Sequence, residues 1–193
     1  MQKWSLNFRV WHWVHATVIL GLLGTVFLRK TFLSWRANSE LLTQKLAEID
    51  LSVTEAQAKV LAKAIRAPMW EWHIILGYAL TALVVWRILL FFTHSGKQNY
   101  QHLQEESLHK KMVKLGYIGI YALLAFMATS GLVIHFYETL GFTKETAHTI
   151  KELHEFAYIG ILIFVPMHIV GVFVAETQDE KGILSDMVNG GKI

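Results

Sequence analysis

Four long apolar stretches constrain the fold of this chain more than any other feature of its sequence. They cover residues 11–28, 69–92, 112–135 and 156–175. Each approaches the roughly 20 residues that an α-helix needs to cross a bilayer. Buried helices of a soluble protein are a poor alternative, because all four runs fall within 193 residues, of which 53% are hydrophobic. The sequence therefore predicts an all-α integral membrane protein, a four-helix transmembrane bundle forming one domain over residues 1–193.

Composition narrows the chemistry that such a bundle can carry. The chain contains no cysteine, which excludes disulfides, thiolate-held iron–sulfur clusters and covalent c-type haem. Its net charge of +3 is spread between loops, and no basic stripe with interleaved aromatic residues indicates nucleic-acid binding. We therefore expect lipid as a partner and no nucleic acid, and any metal must be bound by histidine, carboxylate or methionine.

The longest segment between apolar runs is predicted to be partly helical. Residues 38–66 form this extramembrane loop, in which Ser52 and Glu55 have the spacing of a capping box. Pro68 predicts a break before the second span. The segment can be interpreted as a surface helix packed on the end of the bundle or as a docking platform for a partner subunit. Residues 93–111 are predicted to be a polar loop.

The sidedness of the chain follows only weakly from its positive charges. Four spans place both termini on one side, and the first apolar run ends in Arg29-Lys30 rather than at a small-x-small cleavage site, so we expect that helix to be retained. The side with the termini carries eight Lys and Arg residues, or nine with Arg87 near the inner end of span two, and the opposite side carries nine. Cytoplasmic termini are the favoured interpretation under the positive-inside rule, but the two counts nearly balance.

Two histidines on the fourth span give the strongest indication of function. His154 and His168 are fourteen residues apart, and fourteen helical residues advance about 21 Å while turning within about 40° of whole turns. Both rings therefore project from one face of the helix, near opposite sides of the membrane. Ionisable groups inside spanning helices are costly to bury, so they are candidates for a functional site.

The other spans supply possible partners at matching depths. With cytoplasmic termini, His12 or His15 lies near the inner end of span one beside His168, and His73 lies near the outer end of span two beside His154. Each layer offers two imidazoles from two helices, which is the requirement of a bis-histidine haem b. Zinc is a weaker alternative, because two histidines lack the third and fourth ligands that a zinc site needs.

Small residues beside the candidate ligands would leave space for a porphyrin. Residues at i+3 and i+4 share a helix face with residue i. His12 has Ala16 in such a position, whereas His15 has Val18 and Ile19, and this favours His12 as the ligand. The remaining pairs are His73 with Gly77, His154 with Ala157, and His168 with Gly171.

The opening Arg9-Val-Trp-His12-Trp13 resembles the R-x-x-H-W start of bacterial di-haem cytochromes b. That group includes the cytochrome b subunits of nickel–iron hydrogenases, formate dehydrogenase γ subunits and small cytochrome b561 proteins. The likeness covers nearly the whole chain through its four spans and histidine layout. It implies two bis-histidine haems b, one bound by His12 and His168 and the other by His73 and His154. We also expect Arg9 to pair with a propionate of the inner haem, since guanidinium binds carboxylate bidentately.

The resemblance implies a function in electron transport across the bacterial inner membrane. The expected role is an electron-transfer subunit of a quinone-linked oxidoreductase in a respiratory chain, connecting the quinone pool to a hydrogenase, a dehydrogenase or a cytochrome c. The first loop is longer than in the smallest stand-alone members, which favours a subunit of a larger complex. Two alternatives are a stand-alone superoxide:quinone oxidoreductase and a non-redox membrane scaffold or transporter.

Overall fold

The computed structural model describes residues 4–92, 108–178 and 181–191. Within these ranges all regular structure is helical, and no strand occurs. The helices are α1 (Leu6–Lys30), α2 (Trp35–Ala47), α3 (Glu55–Phe92), α4 (Leu108–His135), α5 (Lys144–Thr177) and α6 (Ile183–Asn189). The predicted all-α class is confirmed. Most of the predicted polar loop over residues 93–111 lies outside the described residues.

Four of these helices are long and apolar enough to cross a membrane, namely α1, α3, α4 and α5. Each contains one of the four apolar stretches recognised in the sequence, so the predicted spans are confirmed as helices. Many large apolar side chains on them are exposed, among them Leu20, Leu89, Leu162 and Val170. Exposed apolar helix faces are expected where a protein contacts lipid tails rather than water.

The chain divides into two compact units, Thr17–Ala79 and Met1–Ala16 together with Leu80–Ile193. The Thr17–Ala79 unit contains most of α1, all of α2 and the first part of α3. Its two long helices approach closely at Gly21, where an added Cβ would lie 3.0 Å from Cδ1 of Leu76. The ring of Trp35 on α2 lies 4.7 Å from the Lys59 ammonium on α3, a cation–π contact that joins these helices.

The capping box at the start of α3 differs from the one predicted from the sequence. The capping box is formed by Thr54 and Gln57, two residues after the predicted pair of Ser52 and Glu55. The Thr54 N–H donates to Oε1 of Gln57 at 2.8 Å, and the Gln57 N–H donates to Oγ1 of Thr54 at 3.3 Å. Both pairs have the spacing of a capping box, and only the later one adjoins the first helical turn.

The predicted break at Pro68 is also wrong, because Pro68 lies inside α3, which is a single helix of 38 residues. Proline removes one backbone donor and crowds the carbonyl four residues earlier. In a long helix the bonds before and after that point persist, so proline can bend the helix without ending it. The last part of the extramembrane segment, from Glu55 onward, and the second span are therefore one continuous helix.

The larger unit is organised around a helical hairpin of α4 and α5. Residues 136–143 connect them, with Gly141 in the left-handed region at φ 74°. Thr143 caps α5 by accepting a hydrogen bond from the Thr146 N–H at 3.2 Å. Within the hairpin, an added Cβ at Gly160 would lie 2.8 Å from Cδ2 of Leu123, so any larger residue there must displace the Leu123 side chain.

The beginning of α1 and the end of α3 also belong to this larger unit. The indole N–H of Trp11 donates to the Leu83 carbonyl at 2.8 Å, which joins these helix ends. The indole N–H of Trp13 donates to the Met187 carbonyl of α6 at 3.1 Å. These bonds fix the first turns of α1, on which the first candidate ligand lies.

Candidate functional site

His12 on α1 and His168 on α5 face each other within the larger unit. Their ring centroids are 6.1 Å apart, and the ring planes are inclined at 53°. A metal–imidazole nitrogen bond is about 2 Å long, so an ion held between two imidazoles brings their ring centres to about 6 Å. The observed separation therefore suits one metal ion between the two rings.

The surroundings of His168 hold its ring in place. The Phe164 ring, one turn earlier on α5, stacks on it at 5.6 Å with an interplanar angle of 10°. Tyr117 on α4 approaches it edge-on at 6.3 Å. On the opposite ring, Nδ1 of His12 is buried and has no hydrogen-bond partner among the described residues. Both residues of this pair are partly buried.

His15 occupies a different environment from His12. Its ring stacks on Trp11 at 4.7 Å with an interplanar angle of 17°, and the residue is buried. Because the hydrogen bond to Leu83 fixes Trp11, it also restrains the ring that stacks on it. This arrangement favours His12 over His15 as the partner of His168.

His73 lies in the Thr17–Ala79 unit and contacts a hydroxyl of α1. Its Nδ1 is 2.7 Å from Oγ1 of Thr25, and that hydroxyl donates its proton to the Leu22 carbonyl at 2.6 Å. A threonine hydroxyl has one proton, so Oγ1 accepts the bond from an Nδ1–H. In this tautomer the lone pair needed for a metal is on Nε2, which is the usual pattern for metal-binding histidine.

His154 has the same arrangement in the larger unit. Its Nδ1 is 2.8 Å from Oγ of Ser130 on α4, and this hydroxyl donates to the Phe126 carbonyl at 2.6 Å. His154 therefore also carries its proton on Nδ1 and its lone pair on Nε2. The neighbouring Gly131 permits this approach, since an added Cβ would lie 3.5 Å from Cε1 of His154.

The remaining predicted residues can be placed individually. His73 and His154 belong to different units, and their pairing remains a prediction from the sequence. Arg9 is half-buried on α1, and its Nε is buried without an acceptor in the described part of the chain. Positions Gly77 and Gly171 have open space, because a Cβ at either would meet no heavy atom within 4 Å.

The donor set is better suited to a haem than to a bare metal ion. In the described ranges, no group of three or more His, Asp or Glu side chains is placed to hold a metal ion. A porphyrin supplies the equatorial ligands itself and takes one axial ligand from each face, which two histidines can provide. The buried guanidinium donor of Arg9 is also a suitable partner for an anionic group.

The sequence interpretation missed the hydroxyls of Thr25 and Ser130. They lie 48 and 24 residues from the histidines that they contact. A usable signal was present, because each is a polar residue near the end of an apolar span at the depth expected for its histidine. This signal does not separate them from other Thr and Ser residues, since hydroxyl groups in membrane helices often donate to carbonyl groups of their own helix.

The family model described as prokaryotic cytochrome b561 matches residues 3–190. No curated protein and no solved structure matches the chain.

Proposed function

Since the chain belongs to the prokaryotic cytochrome b561 family, a family of haem b membrane cytochromes for transmembrane electron transfer, we propose that it is a di-haem electron-transfer subunit. In this proposal it passes electrons across the bacterial cytoplasmic membrane between a redox partner and the quinone pool. Its four apolar helices make it a multi-pass membrane protein. We further propose that both termini are cytoplasmic.

His12 and His168 are the proposed axial ligands of one haem. The observation that carries this assignment is the 6.1 Å separation of their rings within one unit. The group bound between them would supply a one-electron carrier. The protein restrains the His168 ring through Phe164 and Tyr117, which keeps an axial ligand in one orientation.

His73 and His154 are the proposed ligands of the second haem. Support comes from the matching tautomers, because Thr25 and Ser130 each accept the Nδ1–H and leave Nε2 as the basic nitrogen. Further support comes from the fourteen-residue spacing of His154 and His168 on α5, because it places both rings on one helix face.

Quinone and a second redox protein are the proposed partners. We propose that α2 and the start of α3 form a docking platform for a hydrogenase, a dehydrogenase or a cytochrome c. Exposed apolar side chains in this segment, Leu41, Val60 and Leu61, support a protein contact there. Arg9 is proposed to bind a haem propionate, and its buried Nε, which has no acceptor among the described residues, supports this.

Electron transfer across sealed vesicles tests the proposed function. Vesicles containing the purified protein enclose ferricyanide, and dithionite is added outside, so neither reagent needs to cross the lipid. We expect reduction of the enclosed ferricyanide, with loss of this activity in His168→Ala and in His154→Ala.

His148→Ala is the matched control, because His148 is an exposed residue of α5 whose Nδ1 lies 3.7 Å from a Glu152 carboxylate oxygen. It should retain the activity of the unaltered protein. Vesicles that reduce ferricyanide no faster than protein-free vesicles would contradict the proposal. Superoxide-dependent quinone reduction by the lone chain would instead favour the stand-alone enzyme.

A further inference from the structure

Arg87 is a buried cation without a carboxylate partner among the described residues. It lies on α3 in the larger unit, and its side chain is only 8% exposed. Its Nε and Nη1 atoms are buried and have no acceptor in that part of the chain. Arginine stays protonated in proteins, and a buried charge is stable only when it is paired. The environment therefore requires an anion that the described protein atoms do not supply.

Aromatic rings enclose the guanidinium but leave these donors unsatisfied. Its central carbon lies 4.9 Å from the ring centroid of Tyr121, 5.3 Å from that of Phe8 and 5.6 Å from that of Trp11. Such cation–π contacts offset part of the desolvation cost. They do not replace hydrogen-bond acceptors for the buried N–H groups, which are costly to leave unpaired.

Three described carboxylates near the ends of the larger unit have other partners. Glu176 accepts the N–H groups of Gly182 and Leu184, both at 2.9 Å. Glu155 lies 3.5 Å from the Lys151 ammonium, and the Tyr137 hydroxyl donates to Glu138 at 2.6 Å. These groups are therefore not placed to neutralise Arg87.

The same rings connect Arg87 with the proposed ligands of the first haem. Trp11 directly precedes His12 on α1. Tyr121 lies one turn after Tyr117 on α4, and the Tyr117 ring contacts that of His168. Residues four apart share a helix face, so the guanidinium contacts one ring next to His12 in the chain and another on the helix face of Tyr117.

We infer that Arg87 binds a carboxylate, namely a propionate of the haem held by His12 and His168. This inference rests on the proposed function. A carboxylate provides the negative charge that the site lacks and matches the planar guanidinium donors. A quinone also has acceptor oxygens, but it is neutral and would leave the buried charge uncompensated. The aromatic rings around the guanidinium exclude water, which strengthens such an ion pair.

Redox titration of the purified holoprotein tests this inference. The haem that is lost in His168→Ala identifies the relevant midpoint potential. Loss of a cation beside a haem favours the oxidised form, so Arg87→Gln should lower the reduction equilibrium constant of that haem about tenfold, or about 59 mV for one electron. Arg87→Lys should preserve most of the wild-type value, because it keeps the charge.

Lys181→Gln is the control for general charge removal, because Lys181 is an exposed cation of the same unit. It should leave both potentials unchanged. A second readout is the redox-difference infrared spectrum of protein containing haem labelled with carbon-13 at its propionate carboxylates. Arg87→Gln and Arg87→Lys should each shift the labelled band, since a lysine cannot reproduce the bidentate geometry.

The outcomes separate this inference from the proposed function. Wild-type protein without haem would overturn the proposed function itself. Two bound haems with an unchanged potential and labelled band in Arg87→Gln would overturn only the propionate assignment. If Arg87→Gln does not fold, an unshifted labelled band in Arg87→Lys would overturn it. An altered quinone affinity with unchanged haem potentials would assign Arg87 to quinone instead.

Discussion

The hydroxyl groups beside His73 and His154 determine which nitrogen of each ring is available to a metal. Each hydroxyl uses its only proton on a backbone carbonyl, so it can only accept from the histidine. This arrangement fixes the tautomer before any cofactor binds. We propose that Thr25 and Ser130 are positioning residues that act through the proposed ligands.

Removal of either hydroxyl should weaken binding of the second proposed haem. In Thr25→Val and Ser130→Ala, a partly buried Nδ1–H loses its acceptor. We expect the affinity for that haem to fall about 10–100-fold. Haem content after graded dilution and the reduced-minus-oxidised spectrum measure the effect.

Neighbouring threonines provide matched controls for these variants. The Thr129 hydroxyl donates to the Ala125 carbonyl at 2.9 Å, and the Thr31 hydroxyl donates to the Phe27 carbonyl at 2.8 Å. Both residues are exposed, so Thr129→Ala and Thr31→Val should retain the wild-type spectrum. Equal haem loss in Ser130→Ala and Thr129→Ala would contradict the positioning role.

The choice between His12 and His15 gives a second prediction at this scale. His12→Ala should lose one haem, because it removes the ring that faces His168. His15→Ala should keep both haems and lose thermal stability instead, since that ring is packed against Trp11. Pyridine haemochrome content of the two purified variants decides the question. Loss of a haem only in His15→Ala would reverse the assignment.

Much of the candidate site was predictable from residue spacing, but its supporting contacts were not. The depth of a histidine along a span follows from about 1.5 Å per residue. Depth pairs His168 with His12 or His15, and the small neighbour Ala16 then favours His12. The donors and acceptors around each ring depend on how helices distant in sequence rotate against one another. Arg87 illustrates the limit, because its sequence position indicates a membrane cation but not its three aromatic neighbours.

Helix boundaries were predictable where they depended on local composition. The four apolar runs lie within the four long helices, since length and hydrophobicity decide whether a segment can span a membrane. The course of α3 through Pro68 was not predictable, because the effect of proline depends on the hydrogen bonds on either side. The start of α3 was predicted two residues too early, because the pairs Ser52–Glu55 and Thr54–Gln57 both have the spacing of a capping box.

Packing of α4 against α5 predicts a strong effect of side-chain size at Gly160. Leu123 can rotate away from one methyl group, so Gly160→Ala should cost little. The larger Gly160→Val should destabilise the protein by about 1–3 kcal/mol. Thermal unfolding in detergent measures the difference.

Gly119→Val on α4 is the control, because an added Cβ there meets no heavy atom within 4 Å. It introduces the same residue type into a neighbouring helix without the close contact. Equal destabilisation of the two valine variants would contradict a specific contact between α4 and α5 at Gly160.

The orientation of the whole molecule can be tested because the chain contains no cysteine. Single substitutions Glu40→Cys, Glu138→Cys and Lys181→Cys place one thiol each in exposed segments. With four spans and cytoplasmic termini, a membrane-impermeant maleimide should label the first two in intact cells. It should label the third only after the membrane is opened. The reverse pattern would show the opposite orientation.

The central claim for the whole molecule is that four histidines hold two haems b. Haem stoichiometry with a reduced-minus-oxidised spectrum of the detergent-purified chain tests this claim most directly. We predict two b-type haems per chain, low-spin in both oxidation states because each iron would have two histidine ligands. One haem per chain would show that a ligand pair is misassigned, and a colourless protein would contradict the account.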